Sequence, residues 1–140
     1  MKTTEQAKPA PVSIILPCDS CGLVVGSWTD ASVWLDVRAS MEAQKAQGEH
    51  AKADPFREEG APFRRVSLDH LMKRPADVEW QWGHRDCPEG QEGVGYWLPG
   101  DAINTPLAAL NSTLHLMGKA WFVPSTWSHL LRRIGVTRHA

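Results

Sequence analysis

The fold is decided by two short stretches of sequence, PCDSCG at residues 17–22 and HRDCP at residues 84–88. They contain all three cysteines of the chain, and each presents two metal-ligand side chains with two residues between them. This spacing lets two side chains of one tight turn bind the same ion. The four candidate ligands are Cys18, Cys21, His84 and Cys87. Three thiolates and one imidazole are a standard donor set for structural zinc, so the sequence predicts one structural Zn²⁺ per chain.

The distance between the two stretches bears on the architecture. The two ligand pairs are separated by residues 22–83, a spacing much longer than the roughly 12–20 residues of common zinc-finger patterns. The entropic cost of closing a loop grows only logarithmically with its length, so a shared ion is still allowed. We therefore expect a folded insert between the two ligand pairs.

Other uses of the cysteines stay open at this point. A redox Cys-x-x-Cys pair suits a cysteine that follows a strand, but it leaves His84 and Cys87 without a role. Buried free cysteines beside a surface histidine are a second alternative, and a catalytic zinc with an open position is a third. The zinc deaminase signature is excluded because no histidine precedes Cys18.

The stretches CDSCG at residues 18–22 and HRDCP at residues 84–88 resemble the two knuckles of a zinc-ribbon or treble-clef module. The chain is also similar to small tryptophan-rich proteins of unknown function from actinobacteria and their phages. In a treble clef the second ligand pair begins a helix, whereas Pro88 and two nearby glycines follow Cys87 here, which suits a ribbon better. The resemblance covers ten residues; it implies metal binding and carries no activity with it.

Periodicity predicts an α+β fold, in which a small antiparallel sheet or zinc ribbon is packed by two or three helices. Strands are predicted over residues 12–16, 23–28, 63–68, 78–82 and 94–98. Helices are predicted from Thr29 or Asp30 to Gly48, from Ser67 or Asp69 to a stop before Pro75, from Thr105 to Gly118, and from Pro124 or Ser125 to Ile134. The last two helices carry apolar stripes, which are Leu107, Leu110, Leu114 and Met117 on the first and Trp127, Leu130, Leu131 and Ile134, facing inward, on the second.

The organisation predicted is one zinc-binding domain over residues 12–135. Residues 1–11 have the composition of a disordered tail, residues 136–140 form a second tail, and residues 49–62 are predicted to be a mobile surface loop. The polar start lacks the apolar region of a secretory signal, and no apolar run approaches the ~18 residues of a membrane span. The sequence therefore predicts a cytoplasmic protein with no membrane partner.

Charge and tryptophan content bear on the partner. Residues 102–140 contain four basic residues and no acidic one, although the whole chain has a net charge of −1. This imbalance is either an ordinary fluctuation or a surface for an acidic partner. Most of the seven tryptophans should be core, while one or two are candidates for partner contact. The candidate partner-binding residues are Lys119, Thr126, Ser128, His129, Arg132, Arg133 and Arg138.

The two C-terminal helices permit two interpretations. A helix-turn-helix would expose the second helix to DNA, but the connection of seven residues, 118–124, is longer than the ~3–4 of that motif. An ordinary amphipathic helix pair covering the sheet is the alternative.

We predict a non-enzymatic, zinc-stabilised interaction protein, whose partner is nucleic acid or a nucleic-acid-associated protein. A sealed site with four protein ligands leaves no position for a substrate. The alternative is an enzyme that uses a zinc-bound water or a redox-active Cys18 and Cys21 pair. The chain has no Gly-rich phosphate loop, nucleophile elbow or Walker lysine to support other chemistry.

Overall fold

The computed structural model describes residues 16–55, 67–90 and 95–135. Within these ranges it contains four helices and two antiparallel sheets, which confirms the predicted α+β class. The strands are β1 (Leu16–Pro17), β2 (Val24–Val25), β3 (Ala31–Leu35), β4 (Gln81–His84) and β5 (Tyr96–Pro99). The helices are α1 (Val37–Lys52), α2 (Leu68–Met72), α3 (Pro106–Leu116) and α4 (Pro124–Arg133).

The two sheets divide the metal-ligand stretches between them. Strands β1 and β2 form a hairpin, in which Leu16 pairs with Val25. The second sheet has the order β4-β3-β5, with every neighbour antiparallel and β3 in the centre. Ala31 of β3 lies opposite His84 of β4, so the register of the central strand fixes the position of that histidine.

The prediction of a helix that begins at Thr29 or Asp30 was wrong. Residues 28–30 form one 3₁₀ turn, and residues 31–35 are the central strand, buried at every position. The run includes Val33 and Trp34, which suit a pleated surface, and pairing on both sides outweighs the helical spacing of Trp34, Val37 and Met41. Helix α1 begins after Asp36, whose carboxylate accepts a hydrogen bond from the Ala39 N–H at 2.9 Å.

The predicted stop of this helix at Gly48 was also wrong, because α1 continues to Lys52. A glycine inside a helix costs only about 1 kcal/mol relative to alanine. Contacts to later residues hold the last turns in place. The Gln47 amide donates to the Pro75 carbonyl at 3.0 Å and to the Asp77 carboxylate at 2.7 Å. The His50 ring also stacks on His70, with 3.8 Å between the ring centroids.

Most other predicted elements are present with altered bounds. Helix α2 begins after Ser67, whose hydroxyl caps it, and α3 begins after Thr105 with proline at its first position, both as predicted. The strand predicted over 23–28 is limited to Val24–Val25, because a 3₁₀ turn begins at Trp28. The strands predicted over residues 78–82 and 94–98 begin later than expected, at 81 and 96.

Several predictions fall outside the described residues. These are residues 12–15 of the first predicted strand, the tails 1–11 and 136–140, residues 63–66 of the strand predicted over 63–68, residue 94 of the last predicted strand and the part of the loop that covers 56–62. The prediction of a strand as far as residue 68 was wrong, because Ser67 caps α2 and Leu68 begins it. Residues 49–52, also assigned to that loop, belong to α1 instead. Among the described residues, no helix has the length and apolar character that crossing a membrane requires.

Tryptophans form much of the core, as predicted. The Trp80 ring meets Trp127 edge-on, with centroids 4.9 Å apart, and Tyr96 and Trp121 pack around the same ring. Buried indoles include Trp28, Trp34, Trp80, Trp82 and Trp127. Trp97 on the edge strand β5 is the exception, with 46% of its surface exposed.

The two C-terminal helices differ in how they pack. The apolar stripe of α4 faces inward as predicted, with Trp127, Leu130, Leu131 and Ile134 all buried. Helix α3 buries Ala109 and Leu116 instead, and Thr113 accepts a hydrogen bond from the Trp127 indole at 2.8 Å. Its predicted apolar stripe faces solvent, with Leu107, Leu110, Leu114 and Met117 between 54% and 63% exposed.

Candidate metal centre

The β1–β2 hairpin presents the first ligand pair from a closed turn. The Cys18 N–H donates to the Leu23 carbonyl at 2.8 Å, and the Gly22 N–H donates back to the Cys18 carbonyl at 3.0 Å. Gly22 has a φ of +77°, a left-handed conformation that glycine adopts without a steric penalty. The turn therefore directs Cys18 and Cys21 to the same side of the hairpin, and it requires the glycine that follows them.

The second ligand pair lies at the end of β4. His84 is the last residue of the strand, and the next N–H, from Arg85, donates to the Asp30 carbonyl at 2.7 Å. Cys87 begins a short 3₁₀ turn, Cys87–Gly90. The chain thus changes direction between His84 and Cys87, at the end of edge strand β4.

The four predicted ligands meet in space. Their ligand atoms all lie within 4.8 Å of one another. The Cys18 and Cys87 sulfurs are 3.7 Å apart, and His84 Nδ1 lies 3.2 Å from Cys21 Sγ and 3.9 Å from Cys87 Sγ. A tetrahedral zinc with Zn–S bonds of about 2.3 Å separates its sulfurs by about 3.8 Å and its sulfur–nitrogen pairs by about 3.6 Å. The two distant stretches therefore form one Cys₃His group that can hold a metal ion.

The three cysteines form no disulfide with one another. A disulfide bond is about 2.05 Å long, much shorter than the 3.7 Å between Cys18 and Cys87. All three cysteines are free. Their exposure differs, because Cys18 is buried, Cys87 is half-buried and Cys21 is exposed.

The electrostatics of the group favour a thiolate at Cys18 over one at Cys87. Burial opposes ionisation of Cys18, but hydrogen bonds from Cys21, His84 and Ser20 outweigh it and lower the pKa of this thiol to about 6. Hydrogen bonding to Cys18, and its charge, raise the pKa of His84. Burial, together with the hydrogen bond and charge of Cys18, raises the pKa of Cys87 to about 11. Ionisation of Cys87 beside Cys18 is thus favoured by a nearby cation, which a bound metal ion supplies.

Asp19, between the first two ligands, fastens the hairpin to the sheet. Its N–H donates to the Trp82 carbonyl, and its carboxylate accepts from the Trp82 N–H, both at 2.8 Å. The same carboxylate accepts two hydrogen bonds from the Arg133 guanidinium, one of them at 2.8 Å. The sequence did not reveal this role, because aspartate in a turn has a sufficient local explanation.

Gly83 lets the first ligand pair approach β4. A Cβ atom at this position would clash with the Cys18 sulfur and lie 2.6 Å from Cη2 of Trp34. A glycine inside a strand pattern, directly before a candidate ligand, was the one signal of this close approach, and sequence reasoning did not use it.

The candidate partner-binding residues are placed in different environments. Thr126 is buried, and its hydroxyl donates to the Val123 carbonyl at 3.0 Å. His129 Nδ1 lies 3.2 Å from the Glu79 carboxylate, and Arg133 pairs with Asp19. Basic residues that are segregated along the chain are thus interleaved in space with acidic residues from earlier elements.

The remaining candidates are less engaged. Lys119 Nζ lies 5.9 Å above the centroid of the Tyr96 ring. Ser128 is half-buried and Arg132 is exposed. Arg138 lies outside the described residues. Among the part of the chain that is described, Arg132 is the candidate best placed to meet a partner.

Comparisons with protein-family models, with curated proteins and with solved structures found no match for this chain. The class that the fold and site define is a small α+β protein with a Cys₃His group at metal-binding distance.

Proposed function

We propose that the protein is a non-enzymatic interaction module whose fold is stabilised by one structural zinc ion bound to Cys18, Cys21, His84 and Cys87. The observation that carries the proposal is the convergence of these four ligand atoms within 4.8 Å of one another. Zinc is the ion of choice because thiolates and imidazole in a tetrahedral arrangement suit it, whereas magnesium and calcium prefer oxygen.

A structural role is favoured over a catalytic one by the number of ligands. Catalytic zinc sites commonly keep three protein ligands and leave the fourth position to water or substrate. Here four side chains complete the tetrahedron. The ion joins the hairpin, of which the structure describes two residues in each strand, to the main sheet, and so adds to the burial of Val25 in the shared core.

The interaction half of the proposal is supported by exposed apolar side chains in several elements. Leu23 and Val24 of the hairpin are 70% and 59% exposed, and α3 exposes its apolar stripe. We propose a protein as the partner. Nucleic acid is the second candidate, supported by the exposed Arg132 and weakened by the contacts of Arg133 and His129 with carboxylates.

A redox function is the competing proposal, and one observation favours it. The lowered pKa of Cys18, about 6, is characteristic of reactive thiols. However, the side chain is buried, and reactive cysteines need access as well as a thiolate.

Thiol labelling of the native protein distinguishes the two functions. With a structural zinc, Cys18, Cys21 and Cys87 react slowly with a maleimide, and all three react much faster after chelation. Ser125→Cys, at an exposed position far along the chain, is the matched control and should react at one rate in both states. Rapid labelling of Cys18 or Cys21 before any chelator is added would instead support the redox function.

A further inference from the structure

Helix α3 turns its more apolar face to solvent and its more polar face to the core. Its inward face is formed by Ala109 and Leu116, together with half-buried Ser112 and Thr113, which donate hydrogen bonds to the carbonyls of Ala102 and Ala109. The outward face carries four exposed apolar residues, Leu107, Leu110 and Leu114 of the helix and Met117 directly after it, which we call the α3 seam. An isolated exposed leucine needs no explanation, but four on one helix face form a patch typical of an interaction site.

The spacing of the seam is that of an amphipathic helix, and it allows the face to pack against a similar helix. Its members follow one another at intervals of three, four and three residues. This is the a/d repeat by which side chains of one helix enter the gaps of another. The seam extends for about 15 Å along the helix, enough for one close helix–helix contact.

The charge of α3 narrows the choice of partner. The eleven residues from Pro106 to Leu116 include no Asp, Glu, Lys or Arg, and His115, which lies outside the seam, is their one titratable side chain. A two-fold interface packs a surface patch of one subunit against the same patch of the other. A patch with a net charge would therefore be repelled by its copy, whereas an uncharged apolar patch is not. The four seam side chains themselves offer no charged group to phosphates or to a strongly charged protein surface.

We infer that the α3 seam is a self-association surface, on which the α3 seam of a second copy of this chain packs. The inference gives the proposed interaction role one particular partner, and it stands or fails separately from the zinc ion. A standard interface buries about 800 Å² on each partner. Four side chains that are already partly covered supply only part of that area, so the dimer is weak, with a dissociation constant of about 0.1 mM.

Sedimentation velocity over a concentration series around this value tests the inference on the zinc-loaded chain of 140 residues. The wild-type chain should pass from monomer to dimer, while Leu110→Glu and Leu114→Glu should each weaken dimerisation at least tenfold. Met41→Glu, on α1, is the matched control, because it places the same charge at a similarly exposed apolar residue outside the seam. It should dimerise like the wild type.

Two results would overturn the inference. One is a wild-type chain that stays monomeric at concentrations well above the expected dissociation constant. This result overturns the inference even if a different protein is found to bind the seam. The other is a dimer that Leu110→Glu and Leu114→Glu leave intact, because another surface then forms it. The wild-type series decides the first case even if a variant folds poorly, and unchanged zinc content in each variant separates this result from failure of the metal site.

Discussion

The Asp19 carboxylate and the Arg133 guanidinium form a two-pronged ion pair that joins the metal-binding turn to the end of α4. The partners are 114 positions apart in the chain. Asp19 lies between two of the metal ligands and is also bonded to the backbone of Trp82 in β4. One residue therefore connects the hairpin, the sheet and the last helix, and the position of α4 is linked to the geometry of the metal centre.

We expect Arg133→Ala to lower both the stability and the metal affinity of the protein. The pair is partly exposed, so the loss in free energy of unfolding should be about 1 kcal/mol. Metal affinity should fall several-fold, because residues that orient a ligand turn commonly contribute to binding. Urea unfolding and competition with a chromogenic chelator measure the two effects.

Arg132→Ala is the control for that substitution, since it removes the neighbouring guanidinium, which is exposed. It should change neither quantity measurably. A double-mutant cycle with Asp19→Asn should return a coupling energy of about 1 kcal/mol. Equal effects of Arg132→Ala and Arg133→Ala would show that the loss of stability and metal affinity comes from the change in net charge and not from the Asp19–Arg133 ion pair.

Gly83→Ala should disturb the metal centre and the core together. The added methyl group has no space between Cys18 and Trp34, and overpacking of this kind costs about 1–3 kcal/mol. Displacement of the Cys18 sulfur should also weaken metal binding. Gly48→Ala is the matched substitution, because open space surrounds that glycine and it lies within α1.

The two glycine variants should move stability in opposite directions. Gly48→Ala should stabilise the protein by about 0.5–1 kcal/mol through helix propensity, with no change in metal affinity. Thermal unfolding and a metal competition assay on both variants provide the comparison. If Gly83→Ala binds zinc as tightly as the wild type, the close approach of Cys18 to β4 has been misjudged.

Nucleic-acid binding, if it occurs, should be weak and only slightly salt-dependent. The logarithm of the binding constant falls with that of the salt concentration by about 0.9 for each phosphate neutralised. Arg133 and His129 contact carboxylates, whereas Arg132 and Lys119 have no salt bridge within the described residues, so we expect a slope of about 2 in fluorescence anisotropy. A slope of about 4 would indicate instead that the whole basic segment engages the phosphates.

The metal centre was predictable from the sequence because its signal is local and chemical. Two pairs of ligands with a tight-turn spacing require no knowledge of the fold to be recognised, and the four residues do come together. The caps of α2 and α3 were predictable for a similar reason, since the hydroxyls of Ser67 and Thr105 accept hydrogen bonds from residues three positions away.

The errors share a different cause, which is pairing between distant segments. Residues 31–35 are a strand because they lie between β4 and β5, which follow some 45 to 65 positions later, and helical spacing in the sequence carries no trace of this. The orientation of α3 was also out of reach. An apolar stripe predicts that a face is covered, but it does not say whether the same chain covers it.

Metal analysis of the purified protein tests the central claim most directly, namely that two distant pairs of side chains share one structural ion. Elemental assay of the wild-type chain should find one zinc per chain, and Cys87→Ser should lose most of it and unfold at a markedly lower denaturant concentration. A carefully prepared wild-type protein that contains no metal and still unfolds cooperatively at the same midpoint as its zinc-treated form would contradict the claim.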